Sequence, residues 1–237
     1  MTSRFRSLTL ADAAVDRDGK RLLGPLTLTL ARPGITCVLG HNGAGKSLFL
    51  KLCHGQFSPN NGSVNWDGKS AATTRRDRSF MFQGSPILRR SVAANVEYPL
   101  IAHGCPKTER KSRVATALKM SRLEDRATAP AASLSGGERQ RMSLARAWVT
   151  EPSVIILDEP AASLDPASTK ELETLVHDIS TSGVKVIIAT HDLAQAKRLA
   201  DEILMFGHGK LLAHEPAEKF FANEHGGEIA DYLEGRL

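Results

Sequence analysis

Three groups of residues in this chain have types and spacings that can do chemistry. Gly40-His41-Asn42-Gly43-Ala44-Gly45-Lys46-Ser47, followed by Leu48, has the form G-x-x-x-x-G-K-S. Its glycines let backbone amides approach phosphate oxygens that a Cβ would keep away. Lys46 suits the β- and γ-phosphates and the Ser47 hydroxyl suits Mg²⁺, so the loop is expected to bind a nucleoside triphosphate. The second group is Val154-Ile-Ile-Leu-Asp158-Glu159. Its four apolar residues predict a buried strand, with Asp158 placed to hold Mg²⁺ through water and Glu159 to polarise an attacking water. The third is Leu134-Ser135-Gly136-Gly137-Glu138. Ser135 reads as a helix N-cap, and the glycines in the first turn leave amides and a positive dipole facing an anion.

The elements that must position these groups follow from periodicity. Residues 8–30 read as short strands around a turn at Asp18-Gly19, with Leu26, Leu28 and Leu30 alternating with Thr27 and Thr29. Residues 35–39 form an apolar run that ends at Gly40, a buried strand entering a loop, and a helix opens at 47–52. Asn60-Asn61-Gly62 and Asp67-Gly68 bracket 63–66, the pattern of a small antiparallel hairpin. From Pro86 to about Ala132 the chain is rich in Ala, Arg and Lys at helical spacing, which predicts an inserted helical subdomain. A helix is predicted up to about Val149, then buried strands at 154–157 and 185–189 around a helix starting near Pro166. Residues 202–206 and 210–213 flank Gly207-His208-Gly209 as a terminal hairpin, and one last helix is predicted over much of 216–233. Strands alternating with helices give an α/β core with a mainly parallel sheet.

Composition limits the function classes. The 237 residues are 41% hydrophobic, enough for a core, and no run approaches the roughly 18 apolar residues that span a bilayer. Arg4 and Arg6 have no apolar block after them, which argues against a cleaved signal peptide. The net charge of +5 is mild. Its densest basic stretch, 107–126, also holds Glu109, Glu124 and Asp125, as a solvated helix face does. Cys37, Cys53 and Cys105 lack metal-ligand spacing and read as reduced, buried thiols of a cytosolic protein. His208, His214 and His225 are loosely spaced and read as surface histidines.

The loop at 40–47, Gln83, the segment 134–138, the carboxylate pair 158–159, Ser163-Leu164-Asp165 and His191 occur in that order. In this order they resemble the ATP-binding cassette ATPases over essentially the whole chain. The resemblance implies an α/β fold: a P-loop NTPase core with a mainly parallel sheet, an antiparallel β subdomain and an inserted helical subdomain. It implies one domain over 1–237, with the core at 1–85 and 133–237 and the helical subdomain at about 86–132. ATP and Mg²⁺ are then the bound groups. Gln83 is implied to touch Mg²⁺ and the attacking water, and His191 to contact the γ-phosphate and orient that water. Ser135, Gly136, Gly137 and Glu138 are implied to face the γ-phosphate held by a second copy, so that two chains pack head to tail around two ATPs. Asp165 is implied to run along that seam. Such ATPases commonly stack the adenine on an aromatic residue. The stretch Val15-Asp16-Arg17-Asp18-Gly19 has none, which leaves Val15 or Arg17 for the role.

Within this family, the 52-residue separation of Gln83 and Ser135 suits the compact helical subdomain of importer ATPases and leaves no room for long coiled coils. With no membrane span in the sequence, the pore is expected to be a separate integral-membrane permease, with a solute-binding protein completing the system. The chain is then peripheral at the cytoplasmic face of the cell membrane and does not act on nucleic acid. The groove beside Gln83 and the segment 85–96 are expected to receive a short permease helix, with Arg89 and Arg90 in the coupling contact. Residues 52–55, 64–66 and 88–96 are similar to ATPases of tungstate and related oxyanion importers. The alternatives are a lipid- or lipoprotein-extracting ATPase, a soluble cassette outside transport, and a binding module without hydrolysis, the last disfavoured by Glu159 and His191.

Overall fold

Ile35–Leu39, Val154–Asp158 and Lys185–Ala189 are buried at every position, as strands covered on both faces must be. The computed structural model that shows this describes residues 5–236. Residues 1–4, Arg4 among them, and residue 237 fall within the domain bounds expected from sequence but outside the described residues.

The elements run β1 (Leu8–Arg17), β2 (Lys20–Leu30), β3 (Ile35–Leu39), α1 (Lys46–His54), β4 (Asn61–Trp66), β5 (Lys69–Ser70) and β6 (Arg78–Met81). Then come α2 (Val92–Ala102), α3 (Lys107–Met120), α4 (Gly136–Trp148), β7 (Val154–Asp158), α5 (Pro166–Thr181), β8 (Lys185–Ala189) and α6 (Leu193–Leu199). The chain continues with β9 (Glu202–Gly207), β10 (Lys210–Pro216), α7 (Ala217–Ala222) and α8 (Gly227–Leu233). One sheet has the order β10-β9-β3-β8-β7-β6, parallel except for its β9–β10 edge pair. The other is antiparallel, in the order β2-β1-β4-β5. Parallel β3 and β7 put the phosphate loop and Asp158 at the same edge, the C-terminal ends of the strands, where α/β sheets bind ligands.

Three apolar clusters hold these layers. One joins both sheets through Leu10, Leu26, Phe49, Trp66 and Phe206. A second packs the other face of the parallel sheet with α5 and Phe220. The third unites α2, α3 and α4. Helix α4 belongs to two of them: Met142, Ala145 and the C-cap residue Val149 face the helical cluster, whereas Leu144 and Ala147 face the parallel sheet. Spacings of three and four residues place each set on its own side of the rod.

The structure differs from the sequence reading in four places. The expected final helix over 216–233 is two helices, because Gly226 is extended and Gly227 has φ +60, values no helix continues through. Strand β6 was not expected. It contains Arg78, which is 4% exposed and donates to the Ala71 and His54 carbonyls and the Thr74 hydroxyl, with its guanidinium 4.8 Å from the Trp66 ring centre. Burial pushes that guanidinium down to about 10. Cys105 is only half-buried, unlike Cys37 and Cys53. His214 and His225 are also half-buried: His214 bonds Glu202 at 2.8 Å, and His225 bonds the Phe220 carbonyl at 2.8 Å. Among the described residues no helix is long and apolar enough to cross a membrane.

Candidate active site

Strand β3 ends in Gly40, whose φ of +143 and closeness to β9 require glycine: an added Cβ would lie 2.3 Å from the Phe206 carbonyl oxygen. The loop then turns through Gly43 and Gly45 into α1, whose N-terminus carries no side-chain cap. Its first amides are therefore open to an anion. Lys46 is only 6% exposed and donates to the Gly40 carbonyl at 2.6 Å and the His41 carbonyl at 3.2 Å. Burial holds its ammonium below the usual lysine range, against the opposing pull of Glu159 and Asp158.

Strand β7 delivers the carboxylates. Ser47 Oγ donates to Asp158 Oδ1 at 2.9 Å, so a hydroxyl and a carboxylate, both hard oxygen donors, face each other across the loop. That donor set fits Mg²⁺. Burial raises the Asp158 carboxyl, opposed by the Ser47 hydrogen bond. Glu159 is 9% exposed with φ +50. Its amide bonds the Ala189 carbonyl at 3.0 Å, which ties it to the end of β8. Glu159 Oε1 stands 3.7 Å from Lys46 Nζ, and Oε2 accepts from His191 Nδ1 at 2.7 Å. His191 follows β8, keeps its side chain 60% exposed, and its carbonyl accepts from the Tyr232 hydroxyl at 3.3 Å. Sequence reasoning gave no role to Tyr232, which sits 41 residues further along in α8.

Lys46, Ser47, Asp158, Glu159 and His191 thus converge. Gln83 lies two residues past β6, where Met81 pairs with Leu157, so it occupies the same sheet edge as Asp158, exposed. The segment 135–138 starts α4 as a capping box: Glu138 N bonds Ser135 Oγ at 3.3 Å, and Ser135 N bonds Glu138 Oε2 at 2.8 Å. Glu138 also pairs with Arg126 at 3.3 Å. The cap occupies two of the first-turn amides and leaves those of Gly136 and Gly137 without an intrahelical partner. Asp165 caps α5, accepting from the amides of Ala167 and Ser168. Of the two residues left to face adenine, Val15 packs in the core, whereas Arg17 is exposed beside Asp18 at 3.7 Å. Of the pair, Arg17 is thus the one with an exposed side chain.

Comparison with known proteins agrees with this geometry. Residues 23–162 match the family model described as "ABC transporter". The methionine import ATP-binding protein MetN of Brucella abortus is 34% identical over 223 residues, covering 87% of this chain and 60% of that protein. The chain thus spans about 60% of the length of these methionine-import relatives. The tungstate uptake system ATP-binding protein TupC of Peptoclostridium acidaminophilum is also 34% identical, over 86% of this chain and 96% of its own length. Among solved structures, cbiO1 of Clostridium perfringens, part of the ABC transporter complex cbiONQ, superposes with a TM-score of 0.85. It shares 28% identity over 93% of this chain and 92% of its own. With motifs, fold and relatives in agreement, this chain belongs to the ABC transporter family, as an ATPase domain of it.

Proposed function

We propose that this chain is the ATP-hydrolysing subunit of a membrane importer, peripheral at the cytoplasmic face of the cell membrane and bound to a separate permease. The observation that carries this reading is the run of contacts from His191 through Glu159 to Lys46. A phosphate loop alone can bind; a buried carboxylate held by an imidazole beside it can also take a proton from water. In this mechanism Lys46 exchanges Glu159 for the β- and γ-phosphate oxygens, which frees Glu159 Oε1 to face the attacking water. Water oxygen bonds the γ-phosphorus, its proton passes to Glu159, and the β–γ bridging bond breaks to release ADP and phosphate. Mg²⁺, when bound by Ser47 and Asp158 with Gln83 beside them, neutralises charge on the phosphates. His191 holds the base in place, with Tyr232 steadying its backbone.

The amides of Gly136 and Gly137 complete the site in trans. Two copies pack head to tail, and α4 of one closes on the γ-phosphate bound by the other. In this reading the core spans 1–85 and 133–237 and the helical part about 86–132. A groove of about 500 Å³ lies between β6 and the helical part, lined by Arg75, Arg76, Phe82, Pro86, His103 and Arg146. We place the permease helix there. Arg75 and Arg76 line this groove, whereas Arg89 and Arg90 line a separate cleft with Thr128 and Pro130, so both pairs are candidates for the coupling contact.

Tungstate or a related oxyanion is the cargo supported by the likeness to TupC, with a solute-binding protein delivering it to the permease. Uptake of tungstate, compared with methionine, by cells carrying this chain and its permease decides the cargo. The hydrolytic reading is tested by Glu159→Gln. Retained ATP binding, lost phosphate release and an ATP-dependent doubling of mass by size exclusion are expected. Normal turnover would remove Glu159 from the role of base.

A further inference from the structure

We propose that His41, His208 and Glu228 form a binding site for a divalent transition cation of the zinc type, which clamps α8 and the β9–β10 turn to the phosphate loop. The three residues come from distant parts of the chain, and one ligand atom from each lies within 4.8 Å of the others. His41 Nδ1 is 2.8 Å from the Asn42 carbonyl oxygen. A carbonyl only accepts, so Nδ1 carries a proton, which makes Nε2 the nitrogen open to a metal. Such a bond to a backbone carbonyl is also what fixes the tautomer of a metal-ligating histidine.

That Nε2 stands 3.5 Å from Glu228 Oε1, and His208 Nε2 is 3.9 Å from the same oxygen. Glu228 Oε1 is buried and has no hydrogen-bond partner. Glu228 Oε1 thus lies desolvated between two imidazole nitrogens with no hydrogen bond of its own, an arrangement that a shared cation would satisfy. Ligands at ~2.0–2.2 Å from a tetrahedral zinc stand about 3.3–3.6 Å apart. The first distance meets that value, the second exceeds it by a few tenths of an ångström, and the two imidazoles, within 4.8 Å of each other, draw together as the ion binds. Two imidazoles and one carboxylate select zinc-like ions over Mg²⁺, which prefers oxygen alone.

The surroundings make room for the carboxylate. A Cβ on Gly207 would fall 1.9 Å from Glu228 Oε1, so the missing side chain admits it. The turn is fixed to the loop by a bond from Gly209 N to the Ala44 carbonyl at 3.0 Å. The His208 side chain is 78% exposed, which leaves an entry path and room for water as a fourth ligand.

The site stands independently of ATP hydrolysis, and its test reads the metal directly. Zn²⁺ is titrated by calorimetry into the full chain, without nucleotide, for wild type, His208→Ala, Glu228→Gln and, as a control, His177→Ala on the exposed face of α5. One equivalent of Zn²⁺ is expected to bind wild type and the control, raise Tm and be removed by EDTA. Each cluster variant should bind at least about tenfold more weakly. Because His208 is exposed, its variant keeps the fold. Equal binding by all four proteins overturns the proposal, as does a wild type that takes up no Zn²⁺ at micromolar concentration.

Discussion

Lys46 Nζ lies 3.7 Å from Glu159 Oε1, so the lysine of the glycine-rich loop and the proposed base form an ion pair. Each therefore keeps the other's charge compensated in a site where both are almost fully buried. In the proposed mechanism, nucleotide phosphates compete for the same ammonium and the base is released as they win.

Glu159→Gln is expected to preserve ATP binding and lower turnover by roughly 10²–10⁴, the usual worth of a general base. Isothermal titration with ATP beside a phosphate-release assay checks both halves. Parallel losses of binding and turnover would instead make Glu159 a structural partner of Lys46.

Lys46→Ala is expected to weaken ATP binding by roughly ten- to a hundredfold, since a hydrogen bond to a charged group contributes about 1.5–3 kcal/mol. The variant also leaves Glu159 buried beside no cation. An unchanged ATP affinity would mean that the amides of α1 alone hold the phosphates.

At the start of α4, Ser135→Ala removes an N-cap and should cost about 1 kcal/mol of stability. Glu138→Gln should cost much less, because glutamine also closes a capping box. Urea melts of the two variants give the comparison. If Glu138→Gln is as damaging as Ser135→Ala, the ion pair with Arg126 matters more than the cap.

The fully buried Lys185 gives a pH prediction. Its ammonium is 4.0 Å from Glu202 and has no hydrogen-bond partner, and burial pushes it from 10.5 down to about 8, opposed by Glu202 and Asp201. The unfolded chain therefore binds the extra proton between these values, so this group's penalty is complete below about pH 8 and is relieved as pH rises towards 10.5. The Tm of wild type should rise relative to that of Lys185→Met between pH 7.5 and 9.5. A difference that stays flat would show that Glu202 keeps Lys185 charged throughout.

Much of the site is legible in the sequence because its parts are local. The phosphate loop, the carboxylate pair and the 135–138 cap are each a few consecutive residues whose spacing already encodes their geometry. Contacts made across the chain were not legible. Arg78 reads as one more surface charge in Arg75-Arg76-Asp77-Arg78, yet Trp66, His54 and Ala71 enclose it. Strand β6 owes its existence to pairing with β7, and four residues without regular alternation carry no periodic signal. His41 and His208 are 167 positions apart, so loose spacing is uninformative about their meeting at Glu228.

Helix α4 divides its side chains between two apolar clusters, and that division makes it a rocker with one fulcrum. Leu144 and Ala145 are neighbours in sequence, yet the first packs in the parallel-sheet cluster and the second in the helical cluster. If the helical cluster tilts over the sheet, α4 cannot follow both and must pivot about its own length. In the proposed head-to-tail pair the end that swings is Ser135–Gly137, so a force applied at the far groove would reach the second copy as a change in where two glycine amides point.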